Sequence, residues 1–123
     1  MEHHTFRHLS REWEATIIDA ADDRCPVRFR DADATDPETY EARVDREELK
    51  REEDARDLAL RRGLESALVL NALAGEEDGL TPEEIAHRTG MPVEAAADRI
   101  EVLESVQPVP DPDGASRYYI PRV

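Results

Sequence analysis

Lysine is nearly missing from this chain. Lys50 is the only one among sixteen basic residues, which leaves fifteen arginines. Cysteine is reduced to Cys25, so no internal disulfide can form, and a lone thiol suits a reducing compartment. Aromatic residues make up 5% of the chain. No apolar run approaches the ~20 residues of a membrane-spanning helix. The start, MEHHTFRHLS, has no apolar stretch of the kind a signal peptide needs. There is no H-E-x-x-H pair, nucleophile elbow, P-loop or dinucleotide fingerprint. These absences predict a cytoplasmic, non-membrane protein that is not an enzyme and carries no cofactor.

Acid is what the chain has in excess. Thirty Asp and Glu face sixteen bases, for a net charge of −14, and 37% of residues are charged against 39% hydrophobic. A chain of 123 residues with that balance has room for a modest core under a densely ionic surface. Such a charge normally argues against a polyanionic partner. Abundant acid, many Ala and Val and almost no Lys resemble, however, the proteins of salt-in halophiles, especially haloarchaea. That resemblance implies a cytoplasm of molar salt, where the Debye length falls to about 3 Å. Repulsion from DNA is then screened beyond touching distance, and close contacts decide.

Along the chain, Phe6, Leu9, Trp13, Ile17 and Ala20 stand at helical spacing and predict an amphipathic helix over residues 5–22. CPVRFR (25–30) alternates and reads as a short strand. Residues 31–37 form an acidic loop. Asp36, Pro37 and Glu38 look like a helix start, and the pattern onward to Ala74 is mainly helical. Glu47 with Arg51, Glu52 with Arg56 and Asp57 with Arg61 place acid before base at i,i+4. Leu58, Leu60, Leu64, Leu68 and Leu73 require burial of the later part. Gly63 marks a kink or a close approach.

The second half has a more specific order. LTPEEIAHRTG offers Thr81 as N-cap, Pro82 at the first helical position and Glu84 at the third, a capping box. Gly90 makes a turn, and MPVEAAADRIEVLES supplies a third helix with Val93, Ala96, Ile100 and Leu103 on one side. Val106 to Pro110, the turn DPDG (111–114) and Arg117 to Arg122 read as a β-hairpin. From Leu58 onward this order resembles a winged helix-turn-helix regulator of the broad MarR/ArsR kind. The resemblance covers slightly over half the chain. It implies a mainly α fold with a small β-hairpin. Residues 58–123 would be the winged helix-turn-helix domain, and residues 1–57 an N-terminal helical extension suited to dimerisation.

DNA would then be the partner. Arg88, Thr89, Arg99, Ser116, Arg117 and Arg122 are the candidates for phosphate contact, because the guanidinium fork binds phosphate bidentately. Pro92, Val93 and Glu94, at the start of the third helix, are where base edges would be met. Glu94, Asp98 and Glu101 point outward at 100° per residue, which suits a helix lying beside phosphates poorly. They support a second reading, an acidic face that docks a protein. MarR-like chains carry dimerisation helices after the wing, and this chain stops at Val123. Phe6, Leu9, Trp13 and Ile17 are therefore the candidates for a homodimer interface. His3, His4 and His8 are close in sequence, but no acid or Cys completes a metal-ligand spacing.

Overall fold

Side chains alternate between a buried and an exposed face through the N-terminal third of the chain, and this builds a sheet. The computed structural model describes residues 2–33, 35, 38–76, 78–103, 105–109 and 117–121. It comprises two units, Met1–Ala67 and Leu68–Val123. The elements in chain order are β1 (Glu2–His8), β2 (Arg11–Ile17), β3 (Arg24–Asp31), β4 (Thr39–Asp45), α1 (Arg46–Leu49), α2 (Glu53–Leu73), α3 (Pro82–Thr89), α4 (Val93–Val102), β5 (Gln107–Pro108) and β6 (Tyr118–Tyr119). No helix among the described residues is long and apolar enough to cross a membrane.

In the first unit, β1 to β4 form an antiparallel meander in sequence order. Register sets Phe6 opposite Trp13, Ala15 opposite Phe29, Ile17 opposite Val27 and Cys25 opposite Val44. All eight are buried, which puts the apolar residues of four strands on one face. The early turns of α2 add Ala59, Leu60, Leu64 and Ala67 to the core. Burying each large side chain is worth about 1.5–3 kcal/mol. Phe6 and Phe29 meet edge to face, with ring centroids 6.1 Å apart. Trp13 donates through Nε1 to the His8 carbonyl at 3.0 Å. The Arg11 guanidinium sits 4.6 Å above the Trp13 ring, so the largest side chain of the core is fixed by its polar handle as well as by area.

The expectation of a mainly α chain with a helical N-terminal extension is overturned here. The fold is mixed, the described residues being 40% helical and 31% strand, and the sheet comes first. Residues 5–22 are not a helix: they hold β1 and β2, joined by a two-residue turn at Leu9 and Ser10 with φ of 55° and 62°. Phe6, Trp13 and Ile17 satisfy a 3.6 period, but Trp13, Ala15 and Ile17 also satisfy a period of two, and burial obeys the second. A helical start at Asp36 and Pro37 falls outside the described residues. The stretch expected to continue it contains β4, where Tyr40, Ala42 and Val44 alternate with Thr39, Glu41 and Arg43. Helix begins only at Asp45, whose carboxylate accepts from the Glu47 amide at 3.0 Å.

α2 starts with Glu53 and Asp54 in its first turn, where acids favour a helix N-terminus. Leu58, which the sequence reading buries, is 46% exposed. Gly63 does mark a close approach, as its Cα faces Val44 and Phe29. The two units divide between Ala67 and Leu68, whereas the sequence reading divides the chain after residue 57.

The second unit contains the end of α2, α3, α4 and the strands β5 and β6. Leu68, Val69, Leu73, Leu80, Ile85, Met91, Ala96, Ile100 and Val106 are its main buried apolar residues. β5 pairs with β6 through Gln107–Tyr119 and Pro108–Tyr118. Leu80 and Tyr118 exchange both backbone hydrogen bonds at 2.9 Å, so the segment entering α3 is tied to β6.

Candidate nucleic-acid interface

α3 is held by its ends. The Thr81 hydroxyl accepts from the Glu84 amide at 3.2 Å, and the Glu84 carboxylate accepts from the Thr81 amide at 3.1 Å. This is the capping box that the sequence predicts. The hydrogen bonds from the Thr81 backbone and then its side chain hold the Glu84 carboxyl below the usual carboxylate range. Gly90 closes the helix in the left-handed region, φ 78°, which a residue without Cβ adopts freely. Met91 and Pro92 then lead into α4, and the two helices pack together.

α4 places its residues partly as expected. Ala96 and Ile100 are buried, while Glu94, Asp98 and Glu101 face solvent. Val93, expected inside, is 40% exposed, and Leu103 is half-buried and caps the helix. Pro92, Val93 and Glu94 therefore form an exposed helix start, and Pro92 supplies no side-chain cap. That leaves the first amides of α4 without the intrachain partner that Thr81 gives α3.

The arginines proposed for phosphate are largely engaged. Arg88 is ion-paired with Glu76. Arg117 lies 3.7 Å from Glu84. Arg99 is half-buried and has no ion-pair partner among the described residues. Thr89 differs most from expectation. It is 6% exposed; its hydroxyl donates to the Ile85 carbonyl at 2.8 Å and accepts from the Met91 amide at 3.3 Å. It shapes the turn from inside and offers nothing to a phosphate. Ser116, Arg122 and the turn at 111–114 lie outside the described residues.

The dimerisation residues are also relocated. Phe6, Trp13 and Ile17 are 5%, 1% and 3% exposed, on the inner face of the sheet, and Leu9 is a half-buried turn residue. The face expected to meet a second copy is the core of its own unit.

Sequence reasoning missed the opposite face of the sheet. Arg7, Arg28, Arg30 and Arg43 emerge there with Thr5, Thr16, Thr39, Glu12, Glu14 and Glu41, because odd positions in β1 and β4 share a side with even positions in β2 and β3. Arg28 pairs with Glu41 at 3.0 Å and Arg30 with Glu14 at 3.3 Å, across neighbouring strands. Arg24 and Asp45 fall on the same side, and five arginines against four acids make this face close to balanced in a chain of net charge −14. The signal was available in the alternation of V-R-F-R. No Phe, Tyr or Trp ring lies on this side among the described strands.

His3 turns to this outer face, with Nδ1 3.0 Å from the Thr16 hydroxyl. His4 and His8 occupy the other side of the same strand, and His8 Nε2 is 3.7 Å from Glu65, an ion-pair distance but not a hydrogen bond. The three do not converge, and no group of three potential metal ligands occurs among the described residues. Comparison with family models, with curated proteins and with solved structures finds no match to this chain.

Proposed function

We propose that the chain is a DNA-binding transcriptional regulator of the cytoplasm, adapted to high salt, with α3, its turn and α4 as the DNA-facing element. The observation that carries this reading is the exposed start of α4. Pro92, Val93 and Glu94 project from a helix whose partner α3 is rigidly capped. The strand pair next to them is pinned through Leu80 and Tyr118. A helix presented in this way can enter a major groove with its N-terminal residues on base edges. Val93 would meet a thymine methyl, and Glu94 would accept from a cytosine N4. Arg99 is the available cation, and Arg88 and Arg117 join it by exchanging carboxylate for phosphate. Each exposed ion pair holds its arginine by only about 0.2–1 kcal/mol, so the exchange is inexpensive at touching range.

The test is a titration of fluorescent genomic duplex fragments at several molar KCl concentrations. Binding that is lost in Arg99→Ala with Arg117→Ala, while the helical signal survives, supports the regulator. No binding at any salt concentration removes it. In the same reading the protein acts as a homodimer. Since Phe6, Trp13 and Ile17 are interior, the unpaired edges of β1 and β4 are the surfaces that support it. A clean 14.0 kDa species in light scattering would dispose of the dimer alone.

One observation favours a second reading. Glu94, Asp98 and Glu101 are exposed and have no ion-pair partner among the described residues, whereas Arg88 and Arg117 do. An acidic face of that kind would dock a basic protein surface. Binding to a partner protein that is abolished by Asp98→Lys, with no DNA binding, would establish it.

A further inference from the structure

At one corner of the first unit, the start of β1, the end of β2, the start of β3 and the short helix α1 line an open pocket of about 230 Å³. Ile17, Ala20, Leu49 and Cys25 give it apolar walls, and Arg46 and Lys50 line it with positive charge. We propose that this pocket binds a small organic anion, a carboxylate or similar head group on an apolar body about the size of one aromatic ring.

Size sets the first limit. A cavity of roughly 150 Å³ lined by apolar side chains accepts benzene. A pocket of about 230 Å³ therefore admits a ring and a carboxylate.

Charge sets the second. Lys50 is the chain's single lysine, a compact ammonium on a flexible stem, at a position that neighbours this pocket. Arg46 is anchored by two of its nitrogens, one donating to the Ala21 carbonyl at 2.9 Å and one 3.3 Å from Asp23. Its Nε is buried and has no hydrogen-bond partner among the described residues, so the guanidinium is held in place as part of the wall.

Asp23 already pairs with Arg46, and Asp19, Asp22 and Asp45 lie close enough to act on the Cys25 thiol, so Lys50, which has no ion-pair partner among the described residues, is the cation left to a ligand. Asp19 accepts from the Ala21 amide at 2.9 Å, and Asp45 accepts from the Glu47 amide at 3.0 Å. Glu2 also lines the pocket, but its carboxylate is 67% exposed and lies 3.4 Å from His4. Cys25 acts as a wall and not as a nucleophile. Its thiol is fully buried and donates to the Asp22 carbonyl at 3.2 Å, and burial pushes its pKa up, away from thiolate.

The inference does not rest on DNA binding, since all these residues belong to the first unit. Its test is a chemical-shift titration of the full chain in molar KCl with benzoate, benzyl alcohol and benzylamine. Benzoate is expected to shift the amides of Ile17, Ala20, Cys25 and Leu49 saturably, with a Kd on the order of millimolar. Lys50→Gln should weaken it about tenfold. Ala20→Phe, at an exposed position on the rim, should abolish it by filling the space while both cations remain. Equal or tighter binding of benzyl alcohol or benzylamine would overturn the anion assignment. Non-saturating shifts, shifts elsewhere, or shifts indifferent to both substitutions would overturn the site.

Discussion

Gly63 of α2 and Val44 of β4 touch so closely that a methyl group placed on the glycine would stand 2.8 Å from Val44 Cγ2. Phe29 Cζ would be 3.2 Å from the same point. Neither neighbour is the loose end of a long side chain, since both are buried. Helix and sheet in this unit therefore meet over an absent side chain. In an exposed helix, Gly→Ala gains about 1 kcal/mol from propensity. Here overpacking of about 1–3 kcal/mol opposes that gain. Gly63→Ala should lower stability by about 1 kcal/mol net, read as the denaturant midpoint at unchanged slope. A stabilised variant would mean that the sheet yields at Val44, and the close packing would not be a constraint.

The β1–β2 turn carries the opposite opportunity. Leu9 and Ser10 both have positive φ, 55° and 62°, in the two-residue geometry that Asn-Gly serves best. Leu9→Asn with Ser10→Gly should raise stability by about 0.5–1 kcal/mol, because neither new residue resists the left-handed region. Thermal unfolding followed at the Trp13 fluorescence reports it. No gain, or a loss, would show that the half-buried Leu9 side chain contributes more than its backbone costs.

That turn also explains what the sequence hid. Two strands joined by Leu-Ser give no punctuation, so the apolar spacing Phe6, Leu9, Trp13, Ile17 read through the turn as one helix. The same ambiguity affected β4, whose inner residues are only Tyr40, Ala42 and Val44 among charged neighbours. Short apolar alternation diluted with Glu and Arg fits a helical face as well as a strand. By contrast, the limits of α3 were written in chemistry that only a helix uses: Thr81, Pro82, Glu84 and Gly90. Where the candidate site residues sit was legible only in part. Arg88, Arg99 and the outward acids of α4 lie on or near the surface, while Thr89 was misplaced because a polar residue at a helix end looks exposed until its two backbone partners are seen. The pocket beside Lys50 could not be read, since it joins β1, β2, β3 and α1 across residues 2 to 50.

Thr89 gives a prediction that separates structure from recognition. Thr89→Val keeps the volume but leaves the Met91 amide and the Ile85 carbonyl without their shared hydroxyl. A loss of about 1–2 kcal/mol is expected from the second unit. Affinity for DNA, corrected for the folded fraction, should be unchanged. A drop in corrected affinity with intact stability would return Thr89 to the interface.

Acid should act on α3 through Glu84. Its carboxyl is held below the ordinary value, chiefly by the Thr81 backbone hydrogen bond. A lowered folded-state pKa means stability that is present above the unfolded carboxylate value. It is lost as pH falls through the lower, folded one. Unfolding midpoints should therefore decline from about pH 5 downward. Glu84→Gln keeps an acceptor for the Thr81 amide but cannot titrate, so it should flatten the decline. Thr81→Ala should cost about 1 kcal/mol at any pH. An unchanged acid slope in Glu84→Gln would assign the decline to other carboxylates.

The two ion pairs on the proposed DNA face compete with the phosphates they would have to make room for. Arg88 is held by Glu76 and Arg117 by Glu84, so each acid is an internal stand-in for the nucleic-acid backbone. Replacing an acid with its amide frees its arginine and also makes the chain one unit less negative, so the two effects need separating. Glu76→Gln and Glu84→Gln should each tighten DNA binding by a factor of about 1.4 to 5, the equivalent of an exposed pair of about 0.2–1 kcal/mol. The slope of log affinity against log salt should steepen as the freed arginines displace more counterions. Anisotropy titrations of one duplex across a KCl series measure both. Asp98→Asn is the discriminating control, because that exposed residue holds no arginine among the described residues and is given no base contact. If Asp98→Asn tightens binding as much as the other two do, then bulk charge and not the release of Arg88 and Arg117 governs the contact, and those arginines are structural.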